Sequence, residues 1–328
     1  FNNRNNTCIC YFNYYKSYVN NMLAYKTLGG VSGLRNYWSN EGKMENQGFD
    51  VAAVAKVMAL KDFSWEISAS VGHYKNEVTA LPDNDKTIYT SVYGGEVMTK
   101  VGNPIGLFYG YKTQGVFATS EEAAKTDLRN GSENGSAFRA GDVHFSDLVA
   151  DGVIDNKDKD VIGNPNPDVF GNFGTSLHYK NWTLDAFFSY SLGNDIYNYQ
   201  RAVLESGNSY YNQTTAMLNR WTSEGQLTSI PRVEYGDRMG NARFSDRWIE
   251  DGSYLKLKTL SLSYRFPFNL TFLQGITVWG AANNLFTCTK YLGSDPELSI
   301  SGNPIYQGID RGLLGHGRSF VLGVKINL

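Results

Sequence analysis

Asp147, Asp151, Val153, Asp155 and Asp158 carry the most specific chemical spacing in the chain. Counted from Asp147, they fall at positions 1, 5, 7, 9 and 12, with Gly152 at position 6 and Ile154 at position 8. Four carboxylates and one backbone carbonyl at this spacing can wrap around a Ca2+ ion, which takes roughly 6–8 oxygen ligands. A glycine at position 6 supplies the sharp turn that such a loop needs. Two departures weaken the set. Val149 at position 3 offers no side-chain oxygen, and Asp158 at position 12 is shorter than the usual bidentate Glu. The alternative is a solvated acidic turn, held by side chain–backbone hydrogen bonds. Both readings stay open at this stage.

Other reactive residue types are scattered. His73, His144, His178 and His316 do not pair at helical spacing with a second ligand, so neither a zinc site nor a Ser/His/Asp arrangement is supported. Cys8, Cys10 and Cys288 are odd in number and lack a partner pair. Asp295-Pro296-Glu297 brings two carboxylates close but reads as a structural turn. Gly102-Asn103-Pro104-Ile105-Gly106 lacks the lysine of a phosphate loop. Hydrolysis of a glycosidic bond needs two carboxylates facing one cleft about 5–10 Å apart, and no local spacing supplies them. The expectation is a protein that is not an enzyme. A net charge of −2 provides no basic field for nucleic acid. What remains are aromatic side chains in long polar segments: Tyr109, Tyr111, Tyr197, Tyr199, Tyr210, Tyr211, Trp221 and Tyr235. Such rings can stack on a ligand, or anchor loops to each other or to a partner protein.

These residues need a scaffold, and the composition names its class. Aromatics make up 14% of 328 residues, glycines number 34, and charged residues are only 19%. Disorder is poor in aromatics, and helical bundles are rich in Ala, Leu, Glu and Lys. The chain therefore reads as all-β. Period-two alternation is long and clean in places. Trp182, Leu184, Ala186, Phe188, Tyr190 and Leu192 alternate with Thr183, Asp185, Phe187, Ser189 and Ser191. Similar patterns run through Ser64–His73, Leu260–Phe266 and Ser319–Leu328.

Eight spanning strands are expected, near 9–25, 45–59, 64–74, 169–179, 182–194, 253–266, 276–285 and 318–328. Strands of about 9–11 residues match a tilted crossing of a bilayer better than the usual 5–6 of a globular sheet. Short turns at one end alternate with long connections at the other, about 75–168, 193–252 and 286–317. That is the pattern of an outer-membrane β-barrel, with short periplasmic turns and long extracellular loops. Aromatics next to the short turns (Phe63, Trp65, Tyr179, Trp182, Phe266 and Phe268) would form an interfacial girdle. The alternative is a soluble or surface-exposed β-sandwich that holds glycans, with the same alternation facing a core.

Six segments, in order, resemble the C-terminal part of the barrel of SusC/RagA-like TonB-dependent outer-membrane transporters of the Bacteroidetes. They are Asn46-Gln47-Gly48-Phe49-Asp50 with Asp62-Phe63-Ser64-Trp65 and Asn76-Glu77-Val78; Gly102–Gly106 with Tyr109–Phe117; Gly141-Asp142-Val143 with the acidic run and Ile162-Gly163-Asn164-Pro165-Asn166-Pro167-Asp168; Trp248–Lys258; Asn283-Asn284-Leu285-Phe286 with Tyr291–Glu297; and the terminal strand. Phe1–Thr7 matches nothing in the family, and Leu328 stands where the family usually ends in an aromatic.

The resemblance implies that residues 1–328 form about eight C-terminal strands of a barrel of roughly 22, with the plug domain and energy-coupling segment absent. It implies a nutrient importer for oligosaccharides or peptides, in outer-membrane lipid of a Gram-negative cell. The implied partners are a SusD-like surface lipoprotein and a TonB-type complex acting through the missing N-terminal part. No cofactor is implied beyond the Ca2+ candidate.

Overall fold

The computed structural model describes residues 8–27, 33–34, 36–82, 86–131, 135–267 and 275–327. Eight strands form one antiparallel sheet in chain order: β1 (Cys8–Thr27), β2 (Asn36–Ala59), β3 (Phe63–Ala80), β4 (Val169–Tyr179), β5 (Trp182–Leu192), β6 (Tyr254–Phe266), β7 (Gly275–Thr289) and β8 (Ser319–Asn327). Each strand pairs with its sequence neighbours, and among the described strands β1 and β8 each have a partner on one side only. All eight expected strands are present. β2 and β3 run well past the expected ends, because their upper parts go on pairing above the alternating region.

Register turns the period-two pattern into two chemically distinct faces. One row crosses the sheet as Trp65, Leu177, Leu184, Leu262, Gly280 and Leu322. One residue along each strand, the opposite face carries Glu66, Ser176, Asp185 and Ser261. Asp185 accepts hydrogen bonds from Ser176 (2.6 Å) and Ser261 (3.3 Å), so the polar face is linked across three strands. A β-sandwich would bury the apolar face under a second sheet. Instead Leu262 is 48% exposed and Leu322 80%. This face is apolar and uncovered, as the outside of a transmembrane barrel must be. The sheet is a portion of such a barrel wall, and the sandwich expectation is replaced.

At the short-turn end, Trp182 packs on Tyr264 (4.7 Å between ring centres), and Tyr264 meets Phe266 edge-on. Tyr179 pairs with Trp182 and Phe63. The girdle expectation therefore gathers real neighbours, while Phe268 lies outside the described residues. The β4–β5 turn is tight enough to put Lys180 in the left-handed region (φ 54°), and its N–H bonds Asp62 of the next turn at 2.8 Å.

The long connections build a layer of their own rather than structureless loops. The first forms a four-stranded sheet from Thr87–Val92, Gly95–Lys100, Leu107–Tyr111 and Lys159–Gly163. The second and third share a small sheet of Asp195–Asn198, Ile249–Asp251 and Ile309–Asp310. The fully buried apolar side chains lie mostly here. Val97, Phe108, Tyr197, Trp248 and Ile309 form one core, and Phe117, Phe138, Val143, Phe145 and Ile154 form another. A small third cluster, Val78, Leu81 and Ile105, joins this layer to the upper part of the barrel wall.

Candidate ligand-binding site

A cavity of about 570 Å³ opens to solvent in the loop layer. Its floor is the four-stranded sheet, which contributes Glu96, Tyr109, Tyr111 and Lys159. Its opposite wall is the Asp237–Phe244 stretch of the second loop, and Asn156 of the acidic loop closes one side. Glycine makes the close approach possible. A Cβ on Gly110 would lie 2.7 Å from the Phe244 carbonyl oxygen, and one on Gly95 would lie 2.9 Å from the Phe244 ring.

The charges in this cavity are arranged unevenly. The Lys159 ammonium lies 2.9 Å from Glu96 and 5.8 Å from the centre of the Tyr111 ring. Arg243 lies over both Tyr111 (4.9 Å) and Phe145 (4.7 Å), whose rings meet edge-on, a cation–π geometry. Its Nε donates to the Gly240 carbonyl, and its Nη2 to Met239 and Asn130. Burial lowers the Arg243 pKa, against the pull of Tyr111 and Asp237. Asp237 accepts from the backbone N–H of Asn241 (2.7 Å) and Ala242 (2.8 Å), one on each oxygen. Burial still raises its pKa, those two bonds notwithstanding. Tyr109 leans on Tyr89 at 4.8 Å, and burial followed by that neighbour raises its phenol pKa strongly.

The other aromatic candidates separate by environment. Tyr197 is 3% exposed; its ring abuts Phe244 (4.7 Å) and its hydroxyl donates to the Tyr93 carbonyl. Tyr199 packs edge-on against Tyr93 and Tyr197. Trp221 covers Gly141 and donates its indole N–H to Ala118. These three do packing work. Tyr210 and Tyr235 stack on each other at 4.8 Å and are exposed, as is Tyr211. Only Tyr109 and Tyr111 line the cavity.

The acidic loop is organised by its own backbone. Asp147 accepts from Ala150, Asp151 and Gly152; Asp158 accepts from Leu148, Val149 and Asp155. Asp151 caps Val153, and Asp155 caps Lys157. Lys157 stands 3.5 Å from Asp151 and 3.8 Å from Asp155. The carboxylate oxygens thus point at amides and an ammonium. This is the geometry of the acidic-turn alternative. Ile154 is fully buried and anchors the loop, and Val153 pairs in parallel with Arg129.

A second charged cluster escaped the sequence reading. Asp295, Glu297 and His316 converge, but Lys256 occupies their centre, 2.8 Å from Asp295 and 2.7 Å from Glu297. Lys258 adds a contact to Glu297 at 2.6 Å. Sequence alone marks Asp295-Pro296-Glu297 as a structural turn; its lysine partners lie about forty residues earlier on β6.

No protein-family model matches the chain. A TonB-dependent receptor of Formosa agariphila is 30% identical over 96% of the chain. A second from the same organism is 28% identical over 96%, and the TonB-dependent receptor SusC of Bacteroides thetaiotaomicron is 28% identical over 88%. Over most of its length the chain is thus similar to TonB-dependent receptors. It spans about a third of the length of the Formosa relatives. In fold, it matches a structure of the RagAB peptide transporter with a TM-score of 0.78 at 22% identity, covering 97% of the chain and 33% of that one. The open-open state of the RagAB importer gives 0.74 over 98% of the chain.

The family motifs are scattered along the sequence, but several meet in space. Asn76 Nδ2 donates to Asn166 at 3.0 Å, and Asn76 Oδ1 accepts from the Ile105 N–H at 2.8 Å. Asn166 in turn donates to the Ile105 carbonyl and to Asn164. Three motifs of this receptor-like chain thus form one buried amide network, which pins the first loop to the top of β3. The Asn283–Phe286 motif forms a β-bulge: Leu257 pairs with Phe286 and Thr259 with Asn283, with Asn284 left-handed between them (φ 52°).

Proposed function

We propose that the chain forms part of the barrel wall and outer loop layer of an outer-membrane nutrient importer. The observation that carries this reading is the uncovered apolar face of an eight-stranded antiparallel sheet, in a chain related over almost its whole length to TonB-dependent receptors. Backbone amides at the free edges of β1 and β8 cannot be left unpaired in lipid, so further strands must continue the wall on both sides. The substrate class is an oligosaccharide or a peptide. A SusD-like lipoprotein would dock on the loop layer, where Tyr210, Tyr211 and Tyr235 are presented to solvent. A TonB-type complex would supply energy. The site chemistry is recognition, by a cavity lined with aromatic rings, cations and carboxylates.

The test is uptake in the native host. Deleting the gene should abolish energy-dependent entry of one class of labelled oligomer, and restoring the intact receptor should recover it. Unchanged uptake of every oligosaccharide and peptide pool would contradict the importer reading.

A further inference from the structure

We propose that the loop-layer cavity binds the carboxylate of an elongated ligand. The argument is a count of spare hydrogen-bonding capacity. Three cations, Lys159, Arg238 and Arg243, line the cavity against two acids, Glu96 and Asp237; Glu96 pairs with Lys159, and each oxygen of Asp237 holds a backbone amide. The cations are not saturated. Lys159 is a three-donor ammonium with one carboxylate partner. Arg243 uses its Nε and Nη2 on the protein and bonds Tyr111 as well, so it adds charge to the cavity while Lys159 and Arg238 hold the spare donors. Arg238 is exposed at the cavity rim, and its guanidinium makes no hydrogen bond or ion pair among the described residues. A site with committed acids and uncommitted donors selects an anion, and guanidinium groups fit carboxylates in particular. Tyr109 supplies a flat wall beside these donors, suited to the ring or chain that carries the carboxylate. About 570 Å³ admits a short oligomer segment and is far larger than a lone ion requires.

The same carboxylate could come from a uronic acid unit of an oligosaccharide or from an acidic peptide. This proposal rests on the importer reading, because it names what the importer would recognise. The test uses the full-length receptor purified in detergent, titrated calorimetrically. The probes are a trigalacturonate and its trimethyl ester, and triglutamate and triglutamine peptides that are both C-terminally amidated and N-acetylated. At least one acid should bind about tenfold or more tighter than its neutral counterpart, and the stronger acid identifies the source. Arg238→Gln sits at the rim and should fold normally. It should weaken that acid by about tenfold while leaving the neutral analogue unchanged. Lys159→Gln should act in the same direction. Equal affinity for acid and neutral analogue, no measurable binding of either acid, or unchanged binding by Arg238→Gln would each overturn the proposal. Uptake measured in parallel keeps the two readings apart. If uptake persists while the cavity shows no acid preference, the importer stands and this site fails.

Discussion

The Lys256 ammonium on β6 lies 2.8 Å from the carboxylate of Asp295 in the third loop, with both side chains almost completely buried. Glu297 takes a second contact from the same ammonium at 2.7 Å. One lysine on the wall thus fastens the start of the third loop to the barrel. His316 donates its backbone N–H to Asp295 and so ties down the far end of that loop too.

Removing the lysine should release the loop. Lys256→Met leaves two carboxylates partly or wholly buried without their shared cation. Breaking a buried pair in this way costs about 3–5 kcal/mol. Trypsin should then cut within 290–318 much faster than in the wild-type receptor, and Lys256→Arg should restore part of the resistance. Equal cleavage of Lys256→Met and wild type would show that packing alone holds the loop.

Acid should act on the same contact. Burial works against ionisation of Asp295, but Lys256, His316 and backbone amides outweigh it and hold its carboxyl at about 2. Glu297 is also lowered, burial being outweighed by Lys256 and Lys258. An unfolded Asp titrates near ~3.9, so this contribution is complete above that value and disappears as pH falls towards 2. Loop protection, followed by hydrogen exchange, should be flat from pH 7 to 5 and fall below about pH 4. The dependence should weaken in Asp295→Asn and vanish when Glu297→Gln is added.

The acidic loop gives a separate prediction. Asp158 is fully buried and accepts three backbone N–H groups. Asp158→Ala orphans them at about 1–3 kcal/mol each, so protease should enter the 148–157 segment. Ca2+ at this loop is a proposal carried by residue spacing. It predicts slower cleavage of the wild-type loop with Ca2+ than with a chelator. Identical rates would remove the ion and leave backbone capping as the whole explanation.

Gly110 tests the cavity wall. Its side-chain hydrogen faces the Phe244 carbonyl, and a methyl group there would overlap it at 2.7 Å. Gly110→Ala should push the Asp237–Phe244 stretch away and weaken ligand binding, with the barrel assembled as before. Wild-type affinity in this variant would mean that the second loop does not form the cavity in solution.

Legibility of the fold followed the strength of the local signal. β4 and β5 alternate strictly, joined by Lys180-Asn181, and their bounds lie within a residue or two of expectation. The upper part of β2 (Asn36–Met44) is polar and without a period, and its strand state comes from pairing with β1 and β3, a non-local cause. The loop layer was illegible for the same reason. Its sheets join residues far apart in sequence, as when Leu107–Tyr111 pairs with Lys159–Gly163 and Tyr197 pairs with both Ile249 and Ile309. At the candidate site, Tyr109 and Tyr111 stood out as aromatics in a polar stretch. Arg238 and Arg243 did not, because only the fold carries them about eighty residues or more to Lys159. The Asp147–Asp158 spacing suits a calcium loop and an acidic turn alike, because spacing does not reveal whether a carboxylate faces an ion or an amide.

The central claim is that one face of the sheet meets lipid and the other does not. After the three native cysteines are replaced by serine, single cysteines at positions 260, 261, 262 and 263 of β6 can carry spin labels in the full receptor in membranes. Labels at 260 and 262 should collide with dissolved oxygen and be shielded from a water-soluble nickel reagent. Labels at 261 and 263 should show the reverse. If all four positions were open to the nickel reagent, or the alternation had the opposite phase, the sheet would not be a barrel wall facing lipid as described.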